Sequence, residues 1–310
     1  MKVSIKPPRL RHGSNIRIVA PASAPNMVSL SRGVSLLRHL GYTVTFGRNI
    51  KSRAQRAYLS APDEERAAEL MEAFADDSVG AIFSACGGYG AMRILPHLDY
   101  DKIRDHPKIL VGYSDITALH LAINSLSGLV TFHGHMPSAD AEEMRKPYYK
   151  DTLEVLSGNS RELVPPSGRV VKYVVPGSAE GLSMGTNFSL VASLIDTNYM
   201  RDVGGKLLFL EDVRTTAGDI DRYFFRLKLA ELLNKFNGFV FGDFTEVPKI
   251  GASMPPIEEI VEYYMEMARK PSIYGMPFGH GEDQMLIPLN AKMKISTDEP
   301  YIRLLEAVVE

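Results

Sequence analysis

One serine in this sequence stands where a hydroxyl group can act as a nucleophile. Ser114 follows an apolar run and opens a stretch with helical periodicity, in the segment KILVGYSDITALH (108–120). A sharp strand-to-helix turn exposes a serine hydroxyl, and the free N–H groups of a helix start favour developing negative charge. The backbone N–H of Asp115 is then a candidate oxyanion donor. The competing interpretation is that Ser114 or Asp115 only caps the helix.

A glycine-rich turn precedes this segment, in GAIFSACGGYG (80–90). Gly87, Gly88 and Tyr89 form a candidate site at which backbone N–H groups approach an oxyanion or a substrate carboxylate. A purely structural turn is the alternative. A nucleotide site is disfavoured, because GGYG has neither the Lys-Ser/Thr of a P-loop nor the GxGxxG spacing. Cys86 is a nucleophile in principle, but a lone cysteine that ends a buried strand is more often an inert small hydrophobe.

A serine nucleophile needs a base, and the base needs an orienting acid. His280 lies between glycines in PFGHGE (277–282), a loop that suits an exposed imidazole. Glu211 ends the apolar run KLLFLEDV (206–213), at the strand edge where α/β enzymes place functional groups. Asp212 is a weaker candidate for the same role. Taken singly, each of these residues also fits an ordinary surface position.

Two further histidines, His133 and His135, follow a strand end in FHGHM (132–136). They could bind a metal ion, but two histidines with one residue between them are weak evidence for a metal site. Structural histidines are the favoured interpretation. No metal and no organic cofactor is predicted.

The elements that must position these residues alternate between strand and helix in the first half. Apolar runs predict strands at 16–20, 43–46, 80–84, 108–112 and 129–132, with helices at 27–40 and 62–74. This rhythm predicts a mostly parallel sheet covered by helices. Polar residues, Pro-Pro and glycines at 157–169 predict a linker between a domain of residues 1–158 and one of residues 168–310. The second domain mixes strands at 206–210 and 238–241 with helices at 219–233 and 257–268.

Composition narrows the function classes. The chain has 310 residues, 45% of them hydrophobic, and a formal net charge of -2. Without a basic stripe, nucleic-acid binding has no electrostatic support. No apolar stretch reaches the ~20 residues of a membrane span, and no signal-peptide pattern opens the chain. The single cysteine does not demand an oxidising compartment, so a cytoplasmic location is expected.

Nine segments in one order carry a family resemblance. They are IRIVAPAS, CGGYGAMRILPHLD, LVGYSDITALH, FHGHM, GTNFSLVASLIDT, KLLFLEDV, DIDRYFFRL, GFVFGDF and PFGHGEDQMLIPL, which together span about residues 15–295. This series resembles the LD-carboxypeptidase family, which includes the microcin-C immunity peptidases. The resemblance implies a Ser-Glu-His triad at Ser114, Glu211 and His280, with oxyanion donors at Gly88 and Asp115. It also implies two α/β domains with the site in the groove between them, and a cytoplasmic homodimer.

The implied substrate is a small peptide, most specifically a murein tetrapeptide that loses its terminal D-Ala. The sequence departs from the family at Cys86, where an arginine is expected, and at His135, where a proline is expected. Three alternatives stay open. One is a microcin-C-type peptidase or amidase that cleaves peptidyl- or aminoacyl-nucleotides, another is a non-catalytic ligand-binding homologue, and the third is a nucleotide-dependent α/β enzyme.

Overall fold

The computed structural model describes residues 4–51, 58–146, 149–248, 254–299 and 301–310. The strands in chain order are β1 (Asn15–Val19), β2 (Thr43–Phe46), β3 (Ala81–Ser84), β4 (Ile109–Gly112), β5 (Thr131–His133), β6 (Glu162–Leu163), β7 (Lys172–Val175), β8 (Ser178–Asn187), β9 (Leu207–Val213), β10 (Gly238–Thr245), β11 (Ser272–Tyr274), β12 (Ile287–Leu289), β13 (Lys292–Ser296) and β14 (Ile302–Leu304). The helices are α1 (Met27–His39), α2 (Asp63–Ala75), α3 (Ala91–Ile94), α4 (Tyr100–Asp105), α5 (Thr117–Leu126), α6 (Tyr149–Leu156), α7 (Phe188–Leu194), α8 (Ala217–Leu229) and α9 (Ile257–Ala268).

The first sheet has the strand order β12-β5-β4-β3-β1-β2. Strands β1 to β5 pair in parallel, and β12 joins the edge of the sheet antiparallel to β5. Every residue of β3 and β4 is buried, as expected for parallel strands that helices cover on both faces. The prediction of a mostly parallel N-terminal sheet is therefore confirmed.

The second sheet has the order β6-β14-β13-β8-β9-β10-β11-β7. Strands β8 to β11 are parallel neighbours, and the strands on both sides of them pair antiparallel. This confirms the predicted mixed α/β character of the C-terminal half. Among the described residues, no helix combines the length and the apolar character that crossing a membrane requires.

Two features join the sheets and so position the site. Helix α5, almost entirely buried, packs against β5 and β8, and the Thr117 and Thr186 hydroxyls lie 2.9 Å apart. Strand β12 belongs to the C-terminal half of the chain yet pairs with β5, placing Ile287 opposite His133. The loop that carries His280 therefore runs from β11 in the second sheet to β12 in the first. The domain boundaries at 158 and 168 stay a prediction, with β6 between them paired to β14.

Candidate active site

The turn at Ser114 is sharp and strained. Strand β4 ends at Gly112, and a short 3₁₀ turn over Ser114–Ile116 leads directly into α5. Ser114 has φ 61°, a left-handed conformation that costs a non-glycine residue roughly 1–3 kcal/mol. The surrounding packing holds this geometry, because Asp115, Ile116 and Thr117 are all buried while Ser114 stays partly exposed. A strained turn of this kind presents the hydroxyl group above the end of the sheet.

The carboxylate of Asp115 ties this turn to the glycine-rich turn. It is 5% exposed, and it accepts a 2.7 Å hydrogen bond from the backbone N–H of Ala91, the first residue of α3. Burial raises the pKa of Asp115 to about 6, although the Ala91 N–H and the charge of Arg66 act in the opposite direction. The side chain of Asp115 thus braces two turns, whereas its backbone N–H was the predicted oxyanion donor.

The glycine-rich turn packs closely on Ser114. A Cβ atom at Gly87 would lie 3.0 Å from the Ser114 Cβ and 3.3 Å from both the Ser114 Oγ and the Asp115 backbone nitrogen. Gly88 has φ +94°, and a Cβ there would lie 2.3 Å from the Ser23 Oγ, so only glycine fits. Within the described residues, the backbone N–H groups of Gly88 and Asp115 donate to no protein acceptor. One of these amides directly follows Ser114, and the other directly follows Gly87, which packs against Ser114.

Tyr89 extends the same turn to the surface. Its backbone N–H donates to the Ser23 Oγ at 3.1 Å, while its side chain is half exposed. The ring meets that of Tyr58 edge-on, with 5.7 Å between centroids. This aromatic pair is accessible to a bound molecule.

His280 and Glu211 form a direct hydrogen bond. The Nδ1 atom of His280 lies 2.7 Å from Oε2 of Glu211, which is fully buried at the end of β9. A carboxylate only accepts hydrogen bonds, so Nδ1 carries the proton and the lone pair of a neutral imidazole is on Nε2. The His280 side chain is 17% exposed, so the imidazole remains partly accessible to solvent.

The electrostatic surroundings favour a charged imidazole. Burial alone lowers the pKa of His280, but the charge and hydrogen bond of Glu211, with smaller effects of Asp212 and Asp140, raise this pKa overall. The imidazole is thus a stronger base than in water and is stabilised once protonated.

Ser114 and His280 are connected through a neighbouring residue rather than by a direct hydrogen bond. Among the hydrogen bonds of the described residues, none joins the Ser114 hydroxyl to the imidazole. The link is Tyr113, the residue before Ser114, whose ring centroid lies 4.9 Å from that of His280. Catalytic hydrogen bonds of free enzymes are often loose and tighten when the substrate binds.

Comparison with known proteins now decides the family. Residues 16–134 match the LD-carboxypeptidase N-terminal domain, and residues 180–295 match the LD-carboxypeptidase C-terminal domain. The chain belongs to the LD-carboxypeptidase family. This confirms the resemblance drawn from the nine ordered segments.

Two relatives, one of which also has a solved structure, illustrate the match. The chain is 37% identical over 303 residues to a probable murein peptide carboxypeptidase of Bacillus subtilis (strain 168), covering 96% of this chain and 93% of the relative. It is 28% identical over 316 residues to the microcin C7 self-immunity protein MccF of Escherichia coli, covering 93% and 91%. A solved mutant of MccF in complex with adenosine monophosphate superposes with a TM-score of 0.88 at 23% identity, covering 99% and 100%, and so shares the fold.

The other residues that the sequence singled out are held by hydrogen bonds, burial or ring packing that fit a structural role. Asp212 accepts hydrogen bonds from the Ser189 backbone N–H at 2.9 Å and from the Asn187 side chain at 3.2 Å, so it supports the start of α7. Burial raises the pKa of Cys86 to about 12, which keeps its thiol protonated. His133 is fully buried, with Nδ1 2.7 Å from the Thr186 hydroxyl, and His135 packs edge-on against Tyr149.

Two further features near the candidate site were not anticipated from the sequence. Arg66 is fully buried and donates to the carbonyl oxygens of Gly90 at 2.8 Å and Ala61 at 3.0 Å, so it supports the glycine-rich turn from beneath. Tyr113 donates its hydroxyl to buried Asp140 at 2.8 Å. The contacts of Arg66 with Gly90 and of Tyr113 with Asp140 join residues 24 and 27 positions apart, and no local sequence pattern indicates them.

Proposed function

We propose that this protein is a serine carboxypeptidase that hydrolyses an L,D-peptide bond, with Ser114 as nucleophile, His280 as base and Glu211 as orienting acid. One observation carries the proposal. The imidazole that Glu211 holds at 2.7 Å packs against Tyr113, the residue directly before the strained serine. This arrangement supports nucleophilic catalysis by the logic of a serine triad.

The proposed reaction begins when the Ser114 Oγ attacks the scissile carbonyl carbon and its proton passes to Nε2 of His280. The free backbone amides of Gly88 and Asp115 donate to the oxyanion of the tetrahedral intermediate. His280 then gives its proton to the leaving amine, and the C–N bond breaks. Water, deprotonated by His280, hydrolyses the ester and restores Ser114. Throughout, Glu211 stabilises the imidazolium that forms in each half of the reaction.

The proposed substrate is a cytoplasmic murein tetrapeptide. The enzyme would hydrolyse the peptide bond between the L-centre of diaminopimelate and the terminal D-Ala, and so release D-Ala. This reaction is a step of cell-wall peptide recycling. The 37% identical relative named a probable murein peptide carboxypeptidase supports this choice. Gly87 and Tyr89, beside the serine, are the proposed substrate contacts. The cytoplasmic location and the homodimer belong to the same proposal.

The test is incubation of the purified protein with murein tetrapeptide, followed by mass spectrometry. Tripeptide and free D-Ala are expected from the wild type and neither from Ser114→Ala. A fluorophosphonate probe separately tests the chemistry: Ser114 should be labelled in the wild type and not in His280→Ala. Labelling without hydrolysis would refute the proposed substrate but not the proposed nucleophile. Absence of both labelling and hydrolysis would refute the substrate and the nucleophile together.

A second candidate function is the hydrolysis of aminoacyl- or peptidyl-nucleotides. The half-exposed Tyr58 and Tyr89 rings favour it, because a planar base can stack on an accessible aromatic surface. The 28% identity to MccF adds support. Competing a murein tetrapeptide against an aminoacyl-sulfamoyl adenosine, in the wild type and in Tyr89→Ala, separates the two. Selective loss of nucleotide binding in the variant would favour this second function.

A further inference from the structure

A second buried acid lies behind the proposed catalytic pair. Asp140 is 7% exposed, and its two carboxylate oxygens have different partners. Oδ1 accepts a 2.8 Å hydrogen bond from the Tyr113 hydroxyl, and Oδ2 accepts a 2.7 Å hydrogen bond from the Met136 backbone N–H. Both oxygens are thus fixed in a segment without helix or strand, so the carboxylate has a defined position.

Tyr113 connects the Asp140 carboxylate to the candidate active site. Its ring contacts the imidazole of His280 at 4.9 Å and the ring of His133 at 5.6 Å, measured between centroids. The same residue immediately precedes Ser114, whose φ of 61° depends on its surroundings. A movement of the Tyr113 ring would therefore displace both the nucleophile turn and one face of the base.

Burial makes the carboxylate of Asp140 costly. It raises the pKa of Asp140 to about 7, even though the Met136 N–H and the Tyr113 hydroxyl stabilise the charged form. Burial likewise raises the pKa of Tyr113 well above its ordinary value, with Asp140 adding to the effect, so the phenol remains a donor. A buried acid that only filled space would be replaceable by an apolar residue at little cost.

Among the described residues, several titratable groups act on Asp140 or His280. Tyr113, Glu143, Tyr149 and His280 act on Asp140. Glu211, Asp212, Asp140, His133 and Glu246 act on His280, whose ring also packs against Tyr113. Asp140 acts on His280 in the same direction as Glu211, whereas His133 is held neutral by burial.

We propose that Asp140 is a positioning residue, which acts through Tyr113 to hold the Ser114 turn and the His280 imidazole in register and, in its ionised form, favours the protonated imidazole. This inference rests on the proposed function, because it assigns a role within the same reaction. Asp140 has no part in bond making. Its effect is on the placement of two reacting groups and on the protonation of one of them.

Three variants separate these effects. Asp140→Asn removes the charge and keeps one oxygen acceptor for the Tyr113 hydroxyl, but its amide nitrogen then faces the Met136 N–H and that hydrogen bond is lost. Tyr113→Phe removes the hydrogen bond and keeps both the ring and the Asp140 charge. Glu142→Gln is the matched control, since it neutralises an exposed carboxylate near Asp140 that pairs with Arg32 and is not among the groups that act on Asp140, Tyr113 or His280.

The measurements are kcat/KM against pH for D-Ala release, the rate of fluorophosphonate labelling of Ser114, and an NMR titration of His280 in the full chain. Misplacement of reacting groups costs roughly tenfold to a hundredfold, so we expect at least a tenfold fall in kcat/KM for Asp140→Asn and for Tyr113→Phe. The His280 pKa and the acidic limb of the profile should move to lower pH in Asp140→Asn but not in Tyr113→Phe. Glu142→Gln should match the wild type.

The outcomes divide cleanly. If folded Asp140→Asn keeps the wild-type kcat/KM and pH profile, or changes only the melting temperature, the carboxylate is structural and the inference is wrong. If Asp140→Asn does not fold, Tyr113→Phe decides, because a labelling rate equal to that of the wild type would equally overturn the inference. Failure of the proposed function looks different, since the wild type itself would then neither hydrolyse the peptide nor react with the probe.

Discussion

Gly279 and Glu211 approach each other so closely that no side chain fits between them. A Cβ atom at Gly279 would lie 2.5 Å from Oε2 of Glu211, the oxygen that His280 hydrogen-bonds, and Gly279 has φ +108°. The loop therefore reaches the buried carboxylate only because residue 279 is glycine. This contact sets the distance between the acid and the base of the proposed triad.

Gly279→Ala should accordingly disrupt the site. The methyl group must displace the Glu211 carboxylate or push the loop outwards, so we expect at least a tenfold loss of kcat/KM, together with about 2–3 kcal/mol of destabilisation. The matched control is Gly168→Ala, at φ +89° with nothing within 4 Å of the added methyl. It should cost only the backbone strain and leave kcat/KM unchanged. Equal effects of the two substitutions on kcat/KM would contradict this account.

Glu211→Gln tests the orienting acid. The amide oxygen can still accept from Nδ1 of His280, but the charge that raises the pKa of the imidazole is lost. The acidic limb of the kcat/KM profile should move to lower pH, and the maximal rate should fall roughly a thousandfold or more. Asp212→Asn is the comparison, because it changes a neighbouring carboxylate bonded to Ser189. Asp212→Asn should lower the free energy of unfolding and change kcat/KM little. If Asp212→Asn lowers kcat/KM more than Glu211→Gln does, Asp212 is the orienting acid instead.

Many of the helices and strands were predictable because each has a local hydrophobic pattern in the sequence. The apolar run at 43–46 coincides with β2, the run at 108–112 includes β4 and begins one residue before it, and the helical period at 257–268 coincides with α9. Strand β8 was missed, although it lies between β13 and β9 in the second sheet. Its sequence SAEGLSMGTN has two glycines and little β-branched character. At Gly185 a Cβ would lie 2.2 Å from the Phe209 carbonyl oxygen, so close packing selects glycine where strand propensity disfavours it.

The site shows the same division between local and long-range information. The turn at Ser114 and the glycine turn have local signatures, and the order of the motifs pointed to Glu211 and His280. The contacts that hold these segments together join residues distant in sequence and produce no periodic sequence pattern. The hydrogen bond between Tyr113 and Asp140, 27 residues apart, is one example. The pairing of β12 with β5, which anchors the His280 loop, joins segments more than 150 residues apart. Such pairings depend on tertiary packing, which sequence patterns do not encode.

Asp115→Asn should reveal the cost of burying a carboxylate beneath the nucleophile turn. Since burial raises the pKa of Asp115 to about 6, the folded state binds its proton more tightly than the unfolded chain. The stability this group contributes is greatest below about pH 4 and is lost as the pH rises through 6. The unfolding free energy of the wild type relative to Asp115→Asn should therefore fall over this range, by up to about 3 kcal/mol. Urea unfolding at several pH values measures the difference, and a constant difference would refute the shift.

The strain at Ser114 predicts a contrast between two inactive variants. Ser114→Ala removes the hydroxyl but keeps a Cβ at φ 61°, whereas Ser114→Gly removes both. Relief of the left-handed strain is worth about 1–2 kcal/mol, and the greater flexibility of glycine in the unfolded chain offsets roughly half of it. Neither variant should react with a fluorophosphonate, yet Ser114→Gly should be about 0.5–1 kcal/mol more stable than Ser114→Ala in urea unfolding. If the glycine variant is instead the less stable of the two, the turn is not strained and the serine is held there without energetic cost.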